Sequence, residues 1–190
     1  MSAFTEEAGN WWAWRHPRAQ GAEGRCIGHT DLALDPRKAR RLARRIRHEA
    51  TRHGIPKVVC TSDLRRCRDV GRLLRRWGWR HVVMPELREA DFGDWDGRLW
   101  AAIGQAPVDA WCMDFADHAP GGGESLRQVL GRAAAWGPPA SAGVLVAHGG
   151  WMLARRWGAQ HGAGQCPASA AQWPAPPRHG QCWRLRVAGR

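Results

Sequence analysis

Removing a phosphoryl group from a monoester takes a nucleophile in line with the leaving oxygen, cations around the remaining oxygens, and an acid that protonates the departing alkoxide. Arg15, His16, Arg66, Glu89 and His148 are residue types that can fill these parts. A neutral imidazole is nucleophilic at physiological pH when its second ring nitrogen donates to a carbonyl and so fixes the tautomer. His16, placed just after an apolar run, suits that part. Arg15 and Arg66 offer planar forks that grip phosphate oxygens and stay charged. His148 precedes Gly149-Gly150 and a helical pattern, where a donor and the positive end of a helix fall together. Glu89 is the candidate acid and base. Among its acidic neighbours Asp94 reads as a helix cap, and Glu124 as a carboxylate that orders a loop.

The elements that must position these residues follow from short apolar runs. Strands are expected at Trp11 to Trp14, Val58 to Thr61, His81 to Met84, Val144 to Ala147 and Cys182 to Val187. Between them lie helical patterns. Asp35-Pro36 opens a basic helix that Gly54 to Pro56 closes, and Ser62 or Asp63 caps a second that stops near Gly78. A third runs from about Ser125 to Trp136, and a fourth follows Gly149-Gly150. Alternation of this kind gives an α/β fold, a three-layer α/β/α sandwich around a mainly parallel sheet. In such sheets sites form beyond the carboxyl ends of the strands. Arg15-His16, Ser62 to Arg66, Glu89 and His148 all fall there.

The 190 residues are 44% hydrophobic, enough for one core, and a single domain over 1–190 is expected. No apolar run is long enough to cross a membrane, and the polar, acidic start lacks the pattern of a secretory signal. Six scattered cysteines outline neither a disulfide framework nor a zinc site. A soluble, cytoplasmic protein is therefore expected. The formal charge of +12 raises nucleic acid as a partner. However, Lys38 and Lys57 are the only lysines, thirteen tryptophans accompany no tyrosine, and the Arg37 to Arg47 block carries an apolar stripe on one side. A solvated helix face accounts for it, so no nucleic-acid partner is expected. Gly121-Gly122-Gly123 lacks the lysine of a nucleotide-binding loop, and Cys166 to Gly180 reads as a long irregular connection.

The motifs Trp14-Arg15-His16, Gly28-His29-Thr30-Asp31, Ser62-Asp63-Leu64-Arg65-Arg66-Cys67, Leu87-Arg88-Glu89-Ala90, Gly122-Gly123-Glu124-Ser125 and Val146-Ala147-His148-Gly149-Gly150 occur in the order of a known family. The chain resembles the histidine phosphatase superfamily, with its phosphoglycerate mutase-like fold. The resemblance implies that His16 is phosphorylated, that Arg15, Arg66, His148 and Gly149 hold the phosphate, and that Glu89 donates the proton and later activates water. Motif register selects Arg66 over Arg65 and Arg68. No metal or organic cofactor is implied, and the partner would be a small phosphorylated metabolite.

After the nucleophile the pattern departs from the family's Arg-His-Gly-Glu-Thr. This chain has Arg15-His16-Pro17-Arg18-Ala19, and Ala22 stands nearest the usual phosphate-binding asparagine. Arg18 or Gln20 is the expected substitute, while His29 and Thr30 either line a substrate pocket or form a turn. The Arg-His-Pro-Arg start, Trp111 and the closing Trp173-Pro174-Ala175-Pro176-Pro177-Arg178-His179-Gly180 resemble the α-ribazole phosphatase-like branch, which implies hydrolysis of α-ribazole phosphate in cobalamin assembly. Trp95, Trp100 and Trp111 could stack on an aromatic base. A broad-specificity phosphatase and a lapsed phosphate-binding module are the alternatives.

Overall fold

The computed structural model describes residues 9–140 and 142–187. Its centre is a five-stranded sheet in the order β3-β2-β4-β1-β5, built from β1 (Gly9–Arg15), β2 (Val58–Thr61), β3 (Arg80–Val83), β4 (Gly143–Ala147) and β5 (Cys182–Val187). The first four strands pair in parallel and β5 runs antiparallel to β1. Every residue of β4 is buried, as its place in the middle of a sheet covered on both faces requires.

Alternation of side chains along the strands divides the core in two. Trp11 and Ala13 of β1, Cys60 of β2 and Leu145 of β4 face one side. There they pack with Val129, Leu130 and Ala133 of α5 (Leu126–Ala135) and with Trp151, Met152 and Trp157 of α6 (Gly149–His161). Trp14, Val59, Val144 and Val146 face the other side, against α1 (Pro36–Arg52) and α2 (Arg65–Arg76). The α/β/α sandwich and its mainly parallel sheet are those the sequence predicts.

Helix α1 starts where Asp35 caps it, accepting from Arg37 N at 2.7 Å, with Pro36 in the first turn. Its buried residues, Ala39, Leu42, Ala43, Ile46 and Ala50, form one stripe, and the arginines between them face solvent. Helix α5 begins with a capping box between Ser125 and Gln128. Helix α2 has no side-chain cap, contrary to the expectation for Ser62 or Asp63. Both are spent on tertiary partners: Ser62 Oγ pairs with His148 and Asp63 with Arg88.

Two further helices, α3 (Trp100–Ile103) and α4 (Gln105–Met113), lie in a stretch without a helical sequence pattern. No residue of α4 is buried, so no apolar stripe marks it. Among the described residues no helix is long and apolar enough to cross a membrane, and all six cysteines are free.

Candidate active site

Strand register brings the two histidines together. Arg15 pairs with Ala147 across the parallel β1–β4 ladder, so the residues that follow, His16 and His148, stand side by side. His16 N extends the ladder to Ala147 O at 3.1 Å, and the two imidazole centroids are 4.9 Å apart. His16 Nδ1 lies 2.7 Å from Pro17 O. A carbonyl can only accept, so Nδ1 carries the proton and Nε2 keeps its lone pair. Burial, then Arg66, hold His16 well below its ordinary value. The ring is a neutral imidazole. Pro17 departs from the family motif without loss here, because the contact uses its carbonyl and not the N–H that proline lacks.

Arg66, 1% exposed, donates to Thr30 O at 2.8 Å, to Gly28 O, and through Nε to His148 Nδ1 at 3.2 Å. His148 is therefore protonated at Nε2, which donates to Ser62 Oγ at 2.8 Å. Burial first, then Arg66, push its value well below the ordinary one. Arg15 donates through NH1 to Pro177 O at 2.8 Å, and its buried Nε has no partner among the described residues. That orphan donor faces a region rimmed by the start of α6. A Cβ on Gly149 would lie 3.1 Å from Arg15 Cζ, and one on Gly150 only 2.3 Å from Glu89 Oε1, so glycine is required at 150 to admit the carboxylate. Glu89 reaches α6 through that gap. Its Oε2 accepts from Gly150 N at 3.1 Å, and its Oε1 from Trp151 N at 3.2 Å and Ala90 N at 3.1 Å.

Two further carboxylates, Asp96 outside the cavity lining and Glu124 within it, hold the site's parts. Asp96 accepts from Gly28 N and Thr30 N, each at 3.1 Å, and from His29 N and Thr30 Oγ1, which fixes the carbonyls that grip Arg66. Glu124 orders a loop: it accepts from Asp91 N at 3.0 Å and takes a bidentate grip from Arg132 at 2.7 and 2.9 Å. Arg132 also donates to Glu86 O, Arg88 O and Glu89 O and so steadies the segment bearing Glu89. Asp94, expected as a helix cap, sits inside a short turn whose cap is Phe92. Asp96 does the anchoring instead.

A cavity of about 590 Å³ opens over this cluster. Arg15, His16, Arg66, Glu89 and Gly149 are among its lining residues, together with Phe92, Trp100, Trp111, Phe115 and Trp173 and with the charged Arg25 and Glu124. His148 lies behind that wall, and its two nitrogens are engaged by Arg66 and Ser62. In this arrangement His148 accepts from Arg66 and does not itself line the cavity. Arg18, His29 and Thr30, expected in the pocket, do not line the cavity. Arg18 is exposed and pairs with Glu23 at 3.6 Å; His29 is drawn to Glu89 O and Asp91; the Thr30 hydroxyl is spent on Asp96. Trp95 is buried beneath the cavity, against Cys26 and Ile103. His179 is in the wall; the sequence reading includes it in the closing motif but assigns it no role.

The arrangement gathers two arginines, a carboxylate and a neutral histidine at the carboxyl edge of an α/β sheet. A profile described as the histidine phosphatase superfamily (branch 1) matches residues 11–161. The chain belongs to that superfamily. It is 29% identical over 131 residues to an adenosylcobalamin/alpha-ribazole phosphatase of Salmonella typhimurium, covering 64% of this chain and 61% of that protein. It is 30% identical over 122 residues to the protein of the same name in Escherichia coli K12, covering 61% of this chain and 59% of that one. The chain thus spans about three-fifths of the curated relatives it matches. Among solved structures, a mycobacterial glucosyl-3-phosphoglycerate phosphatase is 27% identical with a TM-score of 0.71, covering 93% of this chain and 89% of that one.

Proposed function

We propose that this chain, acting as one domain, hydrolyses phosphate monoesters through a phosphohistidine on His16. The observation that carries the reading is the Nδ1 contact to Pro17 O, which leaves Nε2 of a buried, neutral imidazole as a lone pair beside Arg15 and Arg66. Nε2 attacks phosphorus, the P–N bond forms, the ester P–O bond breaks, and the leaving oxygen takes a proton from Glu89. Water then attacks the phosphohistidine and gives its proton back to Glu89. The P–N bond breaks and inorganic phosphate departs. Arg15 and Arg66 hold the equatorial oxygens throughout, and His148 keeps the Arg66 fork aimed.

For the substrate we favour α-ribazole phosphate, a small metabolite met in the cytoplasm. The curated relatives act as support, and so do the tryptophan and phenylalanine walls, which suit a planar aromatic base better than a sugar or glycerate. The test is hydrolysis by the purified chain of α-ribazole phosphate, glucosyl-3-phosphoglycerate and p-nitrophenyl phosphate, with acid-labile label trapped on His16. Comparable kcat/KM on all three defeats the narrow substrate and leaves a broad phosphatase. Phosphate binding without turnover or label defeats the enzyme and leaves a binding module.

A further inference from the structure

The loop after His16 has lost the side chains with which the family pattern would close around phosphate: Pro17 and Ala22 cannot donate through side chains, and Arg18 turns outward to Glu23. A second segment joins Ala19 and Ala22 in the cavity wall. The stretch before β5 returns over the carboxyl end of β1, tied by Arg15 NH1 to Pro177 O and by Gly180 N to Arg15 O at 2.9 Å. It carries His179 into the cavity wall, with its ring centroid 5.3 Å from that of His16. His179 Nδ1 lies 3.0 Å from His16 O, so Nδ1 is the donor and the ring orientation is fixed. Nε2 makes no hydrogen bond among the described residues.

We propose that His179 is a phosphate-contacting residue, its Nε2 meeting a phosphoryl oxygen of the substrate in place of the missing loop donors. The assignment rests on the phosphatase reading for its substrate, but not for its test. With the ring's proton on Nδ1, a contact at Nε2 needs a second proton. Either an imidazolium faces the dianion, or the imidazole accepts from the P–OH of the monoanion. With a monoester dianion either arrangement takes up one proton; inorganic phosphate already carries a P–OH as its dianion, from which the imidazole accepts with no net uptake. The charged and titratable groups facing the ring are Arg15 and His16 at the end of β1, Arg18 in the loop that follows, and Lys38 on α1. Burial and these cations keep the free ring below its ordinary value, so it is neutral until an anion arrives.

Paired variants separate contact from scaffolding. In His179→Asn the amide takes the place of Nδ1, keeping the tie to His16 O and removing the contact. In His179→Gln the amide reaches the place of Nε2, restoring a donor and losing the tie. Calorimetric titration of the whole chain with inorganic phosphate is expected to show the Asn variant about tenfold or more weaker than wild type, as for loss of a charge-assisted hydrogen bond. The Gln variant should stay within about threefold. Affinity of the Asn variant equal to wild type, or a Gln variant weaker than Asn, overturns the assignment. The titration needs no turnover. A wild type that binds phosphate but hydrolyses nothing defeats the phosphatase reading alone, whereas one that binds no phosphate defeats both.

Discussion

Replacing Asp96, which never touches substrate, should both loosen the fold and cripple the site. In Asp96→Ala four donors lose their acceptor at once: Gly28 N, His29 N, Thr30 N and Thr30 Oγ1. A net hydrogen bond contributes roughly 0.5–1.5 kcal/mol, and more when the acceptor is charged. The side chain is half-buried and water reaches some of the freed donors, so the loss should be about 2–4 kcal/mol. For a chain of this size that lowers Tm by roughly 5–15 °C. Asp96→Asn should cost less, about 1–2 kcal/mol. Its single oxygen can serve the three donors now on Oδ1, Gly28 N, Thr30 N and Thr30 Oγ1, while its NH2 opposes His29 N–H. Urea unfolding gives the stability order wild type, Asn, Ala. Because Gly28 O and Thr30 O grip Arg66, kcat/KM on p-nitrophenyl phosphate should fall in the same order, by at least tenfold in the Ala variant. An Ala variant within about 0.5 kcal/mol of wild type, or destabilised with unchanged kcat/KM, would refute the claim that this loop is what aims Arg66.

Gly150→Ala puts a methyl where Glu89 Oε1 now lies and should cost about 10²-fold in kcat on an alkyl phosphate. The loss should shrink on p-nitrophenyl phosphate, whose phenolate departs without a proton; equal losses on both would remove Glu89 from the acid role. Acid should destabilise the fold. His16, His148 and His179 are held below 6.5 and His81 is lowered to about 4, each chiefly by burial, so the unfolded chain binds more protons as pH drops below 6.5. The contribution is complete above that pH and lost on the way down, levelling off for His81 below about 4. The unfolding free energy from urea titration, and with it the midpoint, should therefore fall between pH 7.5 and pH 5, by on the order of 1 kcal/mol per pH unit, and less steeply in His81→Gln. A midpoint flat over that range contradicts it.

The strands were legible because each is a short apolar run, and with them came the alignment of Arg15-His16, Arg66, Glu89 and His148 at one edge of the sheet. What the sequence could not show is how polar groups are spent across the fold. Ser62 and Asp63 read as helix caps by local rules, yet His148 and Arg88 claim them from other elements. Asp94 and Asp96 are alike as letters; only the fold shows which of them faces the 28–30 backbone. Helix α4 buries nothing and so leaves no period to read. His179 lies in a proline-rich segment without periodicity, and its proximity to His16 arises only because β5 returns antiparallel beside β1.

That return gives Arg15 a second duty. Trp173, Pro176 and His179 form part of the cavity wall although they belong to an irregular segment with no helix or strand of its own to hold them there. Arg15, at the carboxyl end of β1, donates to Pro177 O and accepts from Gly180 N, so the segment is pinned to the same strand end that carries His16. A change at Arg15 would therefore shift the wall as well as the charge beside His16.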